Sequence, residues 1–213
     1  NESDALSRLT DIQSEVSCHY LIKNNGVIIK IVPDLYIAWH AGKSSWKNYK
    51  SLNKNSIGIE ITNPGHKHGY KNFTKKQIIS LLKLTKLLIK KYKINPKNIL
   101  GHSDIAVQRK KDPGEKFPWK YLSKNKIGTW HTLNKQVLTK NRKLKTNKEE
   151  KDSFFNNLFK IGYSKKYTKD VSRDKYLIEL TKTFQRRFRQ ELVNGKIDQE
   201  CLLISKSLIK AYN

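Results

Sequence analysis

Apolar residues recur along this chain with two different periods, and the places where the period changes mark the expected elements. Ala5, Leu6, Leu9, Ile12 and Val16 sit at near-helical spacing, which predicts a helix over residues 4–16 with Asp4 near its start. Val27 to Val32 is rich in β-branched residues, Pro33-Asp34 signals a turn, and Leu35 to Trp39 resumes an extended pattern. A hairpin is the natural assignment, and its far end delivers Trp39-His40 into a loop. Ile57 to Thr62 is an apolar run of the kind that forms a buried strand, yet it contains Glu60.

Thr74 followed three residues later by Gln77 has the form of a capping box, and Ile78, Leu81, Leu82, Leu88 and Ile89 continue at helical spacing. Asn95-Pro96 stops this helix. Asn98-Ile99-Leu100 reads as a short strand ending at Gly101-His102. Alternating helices and short strands imply a mixed α/β domain over residues 1–131, a central β-sheet flanked by helices. Residues 132–151 turn to lysine, asparagine and threonine and read as a solvated linker. Residues 152–213 then form a small three-helix domain. Phe154, Phe155, Leu158 and Phe159 mark its first helix, and Leu180, Phe184, Phe188 and Leu192 stripe a second that ends at Asn194-Gly195. Asp198 caps a third helix carrying Leu202, Leu203, Leu208 and Ile209.

Composition narrows the classes. With 37% apolar and 29% charged residues and no apolar run near the roughly 18 residues that span a bilayer, no transmembrane segment is expected. The net charge of +26 comes from 44 basic against 18 acidic residues and attracts polyanions of any kind. The lysines are spread from Lys23 to Lys210 rather than gathered in a block, so they read as solvated side chains and no specific nucleic-acid partner is expected. Cys18 and Cys201 show no metal-ligand spacing and are expected as unpaired thiols. The chain starts at Asn1 and has no methionine, so its first residue is not a translation start and a preceding segment is expected.

Three polar residues sit where strands should end in loops: His40, Glu60 and His102, with Asp112 ten residues beyond the last. Imidazole and carboxylate are a normal zinc ligand pair, although by spacing alone such a pair is more often structural. The surrounding motifs add to this. In order they are Ser17-Cys18-His19-Tyr20-Leu21-Ile22, Ala38-Trp39-His40-Ala41-Gly42, Asn55-Ser56-Ile57-Gly58-Ile59-Glu60, Gly101-His102-Ser103-Asp104-Ile105-Ala106 and Arg109-Lys110-Lys111-Asp112-Pro113-Gly114. Over residues 10 to 120 this set resembles the N-acetylmuramoyl-L-alanine amidases of the AmpD and AmiD type, whose fold is shared with peptidoglycan recognition proteins.

The resemblance implies a zinc-dependent hydrolase acting on peptidoglycan or muropeptides. It assigns His102 and Asp112 as zinc ligands, Glu60 as general base and Lys110 as oxyanion partner, with His19, Trp39, His40 and Asn63 lining the substrate groove. A Glu60–lysine salt bridge is the alternative use of that carboxylate. The family's third ligand is a histidine on an earlier strand, expected upstream of Asn1; a non-catalytic peptidoglycan-binding relative is the alternative. The C-terminal stretch, with Phe184-Gln185-Arg186-Arg187-Phe188 and Gly195-Lys196-Ile197-Asp198, resembles a three-helix peptidoglycan-binding domain, although Gln199 stands where that family commonly has glycine. The two-domain layout resembles envelope-located members more than cytoplasmic ones, while oligomeric state stays open.

Overall fold

The clearest local code in the chain is met as expected. The Thr74 hydroxyl accepts the Gln77 N–H at 3.1 Å, and the Gln77 side chain accepts the Thr74 N–H at 2.9 Å. This reciprocal cap opens a helix over Lys75–Tyr92, which closes on Lys93 in the left-handed region at φ 51°. Its buried stripe is Leu81, Leu84 and Leu88, with Gln77 and Thr85 on the same face.

The computed structural model describes residues 2–212, with eight α-helices and five short strands among them. They are α1 (Glu2–Thr10), β1 (Tyr20–Ile22), β2 (Ile28–Lys30), β3 (Ser45–Trp46), β4 (Tyr49–Lys50), β5 (Ile59–Ile61), α2 (Lys75–Tyr92), α3 (His102–Ile105), α4 (Trp119–Lys124), α5 (Lys135–Asn141), α6 (Lys148–Ile161), α7 (Arg173–Phe188) and α8 (Gln199–Tyr212). Two compact units emerge: one runs to Ser44 and resumes over Tyr49–Ile94, the other combines Ser45–Asn48 with Asn95 onward.

In the first unit a mixed sheet has the order β2-β1-β5. β1 is central and wholly buried, antiparallel to β2 with Tyr20 opposite Lys30, and parallel to β5 with Leu21 opposite Glu60. α2 packs on β1, and Gln77 donates to the Thr62 carbonyl at 2.7 Å, tying that helix to the exit of β5. The hairpin is therefore one strand earlier than the pattern suggests. It joins β1 to β2 through Lys23–Val27, where Gly26 takes φ 86° and a Cβ would lie 2.9 Å from the Lys76 carbonyl oxygen. Leu35 to Trp39 forms no strand and leaves Leu35, Tyr36, Ile37 and Trp39 exposed. The first helix stops at Thr10, and Ile12–Ser14 is a separate 3-10 turn capped by Asp11.

The second unit is helical. Ile99-Leu100, expected as strand, is irregular: Asn95 caps a 3-10 turn over Pro96–Asn98, leaving too few residues before α3. Residues 132–151 contain α5, capped by Asn134 and anchored by buried Leu138, and the start of α6, which Asn147 and Glu150 cap reciprocally. Phe154, Leu158 and Ile161 of α6, Tyr176, Leu180, Phe184 and Phe188 of α7 and Leu202, Ile204 and Leu208 of α8 are all buried; α6 packs on α8, and the Phe154 ring meets that of Phe184 edge-on at 5.0 Å. Each such side chain contributes on the order of 2 kcal/mol through the area it withdraws from water. α7 ends at Phe188, so Leu192 falls in the turn beyond it. Asp198 caps α8 as expected, accepting the Cys201 N–H at 3.0 Å.

Candidate active site

The chemistry-bearing residues singled out above fall in both units. In the second, α3 begins with His102, and its ring Nδ1 lies 3.1 Å from Asp112 Oδ2. The two segments are held in register by the Ser103 N–H, which donates to the Asp112 carbonyl at 2.9 Å. The space between the segments admits no side chain at residue 101, because a Cβ on Gly101 would stand 2.7 Å from Pro113 Cδ. Burial pushes the Asp112 carboxyl up, but the hydrogen bond and electrostatic interaction with His102, with a smaller contribution from Lys110, outweigh it and hold the group below its ordinary value. His102, Lys110 and Asp112 are thus brought together, with an ionised carboxylate beside an imidazole.

That donor set fits zinc in chemistry, since it pairs imidazole nitrogen with carboxylate oxygen. It supplies two protein ligands where a catalytic zinc ordinarily has three. Among the described residues no group of three or more His, Cys, Asp or Glu forms, and the third ligand expected before Asn1 lies outside them.

In the first unit Glu60 sits at the centre of β5, half-buried, with Leu21 as its partner across the parallel ladder. Its charge adds to burial in pushing the neighbouring Cys18 thiol up to about 12. His19 is fully buried. The Gly58 N–H donates to its Nδ1 at 3.0 Å, and its Nε2 lies 3.0 Å from the Tyr36 carbonyl oxygen. A carbonyl can only accept, so the proton sits on Nε2 and the ring is a fixed strut between β5 and the 33–36 turn. His19 is thus held with both ring nitrogens bonded inside the first unit. His40 is half-buried; its Nδ1 lies 3.0 Å from the Ala38 carbonyl and its Nε2 2.9 Å from Ser56 Oγ. Gly58 is the residue that lets this ring in, because any Cβ there would overlap it. Asn63 spends both ends of its amide on its own loop, donating to the Lys71 carbonyl and accepting from Gly65. Trp39 is half-exposed and free of such ties at its ring, so of the four groove candidates it offers the largest surface.

Comparison with known proteins decides what these residues belong to. A family profile described as N-acetylmuramoyl-L-alanine amidase matches residues 1–115. N-acetylmuramoyl-L-alanine amidase AmiD of Escherichia coli is 35% identical over 220 residues, covering 98% of this chain and 78% of that protein. The chain belongs to the N-acetylmuramoyl-L-alanine amidase family. The structure of Escherichia coli AmiD in complex with the substrate anhydro-N-acetylmuramic acid-L-Ala-D-gamma-Glu-L-Lys matches with a TM-score of 0.84 at 33% identity, over 100% of this chain and 85% of that one. AmpDH3 of Pseudomonas aeruginosa, in complex with anhydromuramic pentapeptide, matches with a TM-score of 0.83 at 31% identity, over 99% and 87%.

In this amidase one residue of the His102 motif was passed over by sequence reasoning. Asp104 is buried and accepts from the Gly101 N–H at 2.8 Å, from the Tyr163 hydroxyl at 2.7 Å and from Arg187 Nη1. A carboxylate directly before the apolar run Ile105-Ala106-Val107 was the available signal.

Proposed function

We propose that this chain hydrolyses the amide between the lactyl group of N-acetylmuramic acid, or its 1,6-anhydro form, and L-alanine, using zinc held by His102 and Asp112. The observation that carries the reading is the His102–Asp112 pair, with Lys110 adding its charge to an already ionised carboxylate. The substrate bound in the AmiD structure and the anhydromuramic pentapeptide bound in that of AmpDH3 support the bond chosen. Zinc, when bound, supplies Lewis-acid polarisation and acidifies water toward a pKa of about 7. Glu60 takes the proton of the attacking water and returns it to the departing amine of L-alanine. The Lys110 ammonium balances the negative charge that develops on the amide oxygen. Hydrolysis then adds one water across the C–N bond and leaves a free lactyl carboxylate and a free peptide amine.

The helical C-terminal region supports a second, wall-binding role. A cleft of about 450 Å³ runs between α6 and α7, lined by Phe155, Phe159, Tyr167 and Tyr176 with Asp152 and Arg173 at hand. Aromatic faces flanked by charged groups suit a sugar–peptide polymer. The two-domain layout favours the cell envelope as the working compartment.

The test is zinc content together with peptide release from anhydro-muropeptide. Release that stops with chelator and in Glu60→Gln is the expected result. Retention on cell wall with no release from a zinc-loaded protein would replace this reading with that of a wall-binding relative.

A further inference from the structure

α3 is a single turn of four residues, far below the ~12–15 residues at which an isolated helix becomes stable in water. Its own hydrogen bonds therefore cannot fix the direction in which His102 points. What fixes it comes from the helical C-terminal region. Arg187 on α7 donates through Nη1 to Asp104 and through Nη2 to the Ile99 carbonyl at 2.9 Å, so one guanidinium grips the chain on both sides of Gly101-His102. The guanidinium lies 4.2 Å from the Trp119 ring, stacked on the first residue of α4. Tyr163, just past the end of α6, adds its hydroxyl to the other carboxylate oxygen of Asp104. That tyrosine is itself held by the edge of Trp46 at 5.1 Å, and the preceding Gly162 carbonyl accepts the Lys47 N–H at 2.8 Å. Both charged side chains are almost wholly withdrawn from water, 3% and 1% exposed, so the pair is neither screened nor free to swing.

We infer that Arg187 and Tyr163 are positioning residues for the His102–Asp112 pair, acting through Asp104, so that the helical C-terminal region is a working part of the hydrolytic centre. This rests on the reading that His102 and Asp112 hold zinc. Arg187 and Tyr163 set the backbone from which His102 projects, and the Ser103–Asp112 bond passes that setting to the second ligand. Outer supports of this kind govern metal affinity because a ligand misdirected by a fraction of an ångström loses its bond.

The experiment compares the wild-type chain with Arg187→Lys and Tyr163→Phe, measuring zinc affinity by chelator competition and the visible spectrum of the cobalt-substituted protein. Circular dichroism and urea midpoints establish that each variant is folded; if Arg187→Lys fails that check, Tyr163→Phe decides alone, since it removes one hydrogen bond and no charge. Zinc affinity falling by roughly tenfold or more, with an altered cobalt spectrum at saturation, is expected. Folded variants with wild-type zinc affinity and an unchanged cobalt spectrum overturn the inference while leaving the amidase reading in place. A wild-type protein that takes up neither metal overturns the zinc reading itself, and this inference with it.

Discussion

Asp34 and Asp104 are each almost fully withdrawn from water, at 4% and 1% exposed, and each carboxylate is met by tyrosine hydroxyls, yet the cations that answer them differ. Asp34, in the first unit, accepts from Tyr20 and from Tyr92 at 2.7 Å, and its charge is balanced by Lys30 at 3.2 Å and Lys91 at 3.0 Å. Those two lysines are half-exposed and reach in from solvent. Asp104, in the second unit, is balanced by a guanidinium as deeply buried as itself. An exposed lysine can be replaced by a neighbour, by salt or by water, whereas a buried arginine cannot. The first arrangement tolerates loss of one member; the second makes the segment beside it all-or-none.

The largest effect should come from Asp104→Ala, which strands the Arg187 charge and should cost about 3–5 kcal/mol, read by urea denaturation. A loss under about 1 kcal/mol would end the contrast, because it is what a surface pair gives. Acid should find the second unit first. Burial, helped by the charge of Lys120, pushes the His131 imidazole down to about 4, so the folded state resists a proton that the unfolded chain accepts. The stability this contributes is full above the unfolded value near 6.5 and is lost as pH falls toward 4, on the order of 3 kcal/mol in total. His131→Gln should flatten that part of the pH profile.

Asp34 works in a lower window. Burial pushes its carboxyl up, but the hydrogen bonds from Tyr20, Tyr92 and the two lysines hold it far below the carboxylate range. Its contribution is present above about pH 4 and is lost only as pH falls further. Tyr20→Phe should cost roughly 1.5–3 kcal/mol, the worth of one hydrogen bond to a charged group. Lys91→Ala should be the smallest change, detectable in thermal melts at low salt and gone at high salt. A salt-insensitive loss there would mean that the two aspartates are anchored alike.

The parts of the fold legible in the sequence were those whose cause is local. The Thr74–Gln77 cap, the Asp198 cap and the Phe154, Leu180 and Phe184 positions rest on residues a few places apart, and the pattern holds them all. The hairpin was misplaced because Leu35 to Trp39 is apolar yet exposed, while the true central strand is three residues long and too short for a period to register. His102 and Asp112 came from motifs, and the structure brings them to 3.1 Å. The motif around His19 does not tell where its ring points; the structure shows both ring nitrogens bonded inside the first unit. Asp104 stayed hidden because its partners, Tyr163 and Arg187, lie 59 and 83 residues away.

The chain's two cysteines are free, and one falls in each unit. Cys18 and Cys201 are fully buried, and burial together with nearby carboxylate charge pushes both thiols up to about 12, so neither presents a thiolate at neutral pH. Under native conditions a maleimide can react with either sulfur only after the surrounding structure opens, since the thiolate is the nucleophile. The molecule therefore carries its own pair of chemical clocks: the labelling rate at Cys18 times the opening of the sheet around Glu60, and the rate at Cys201 times the opening of the helices that hold Arg187.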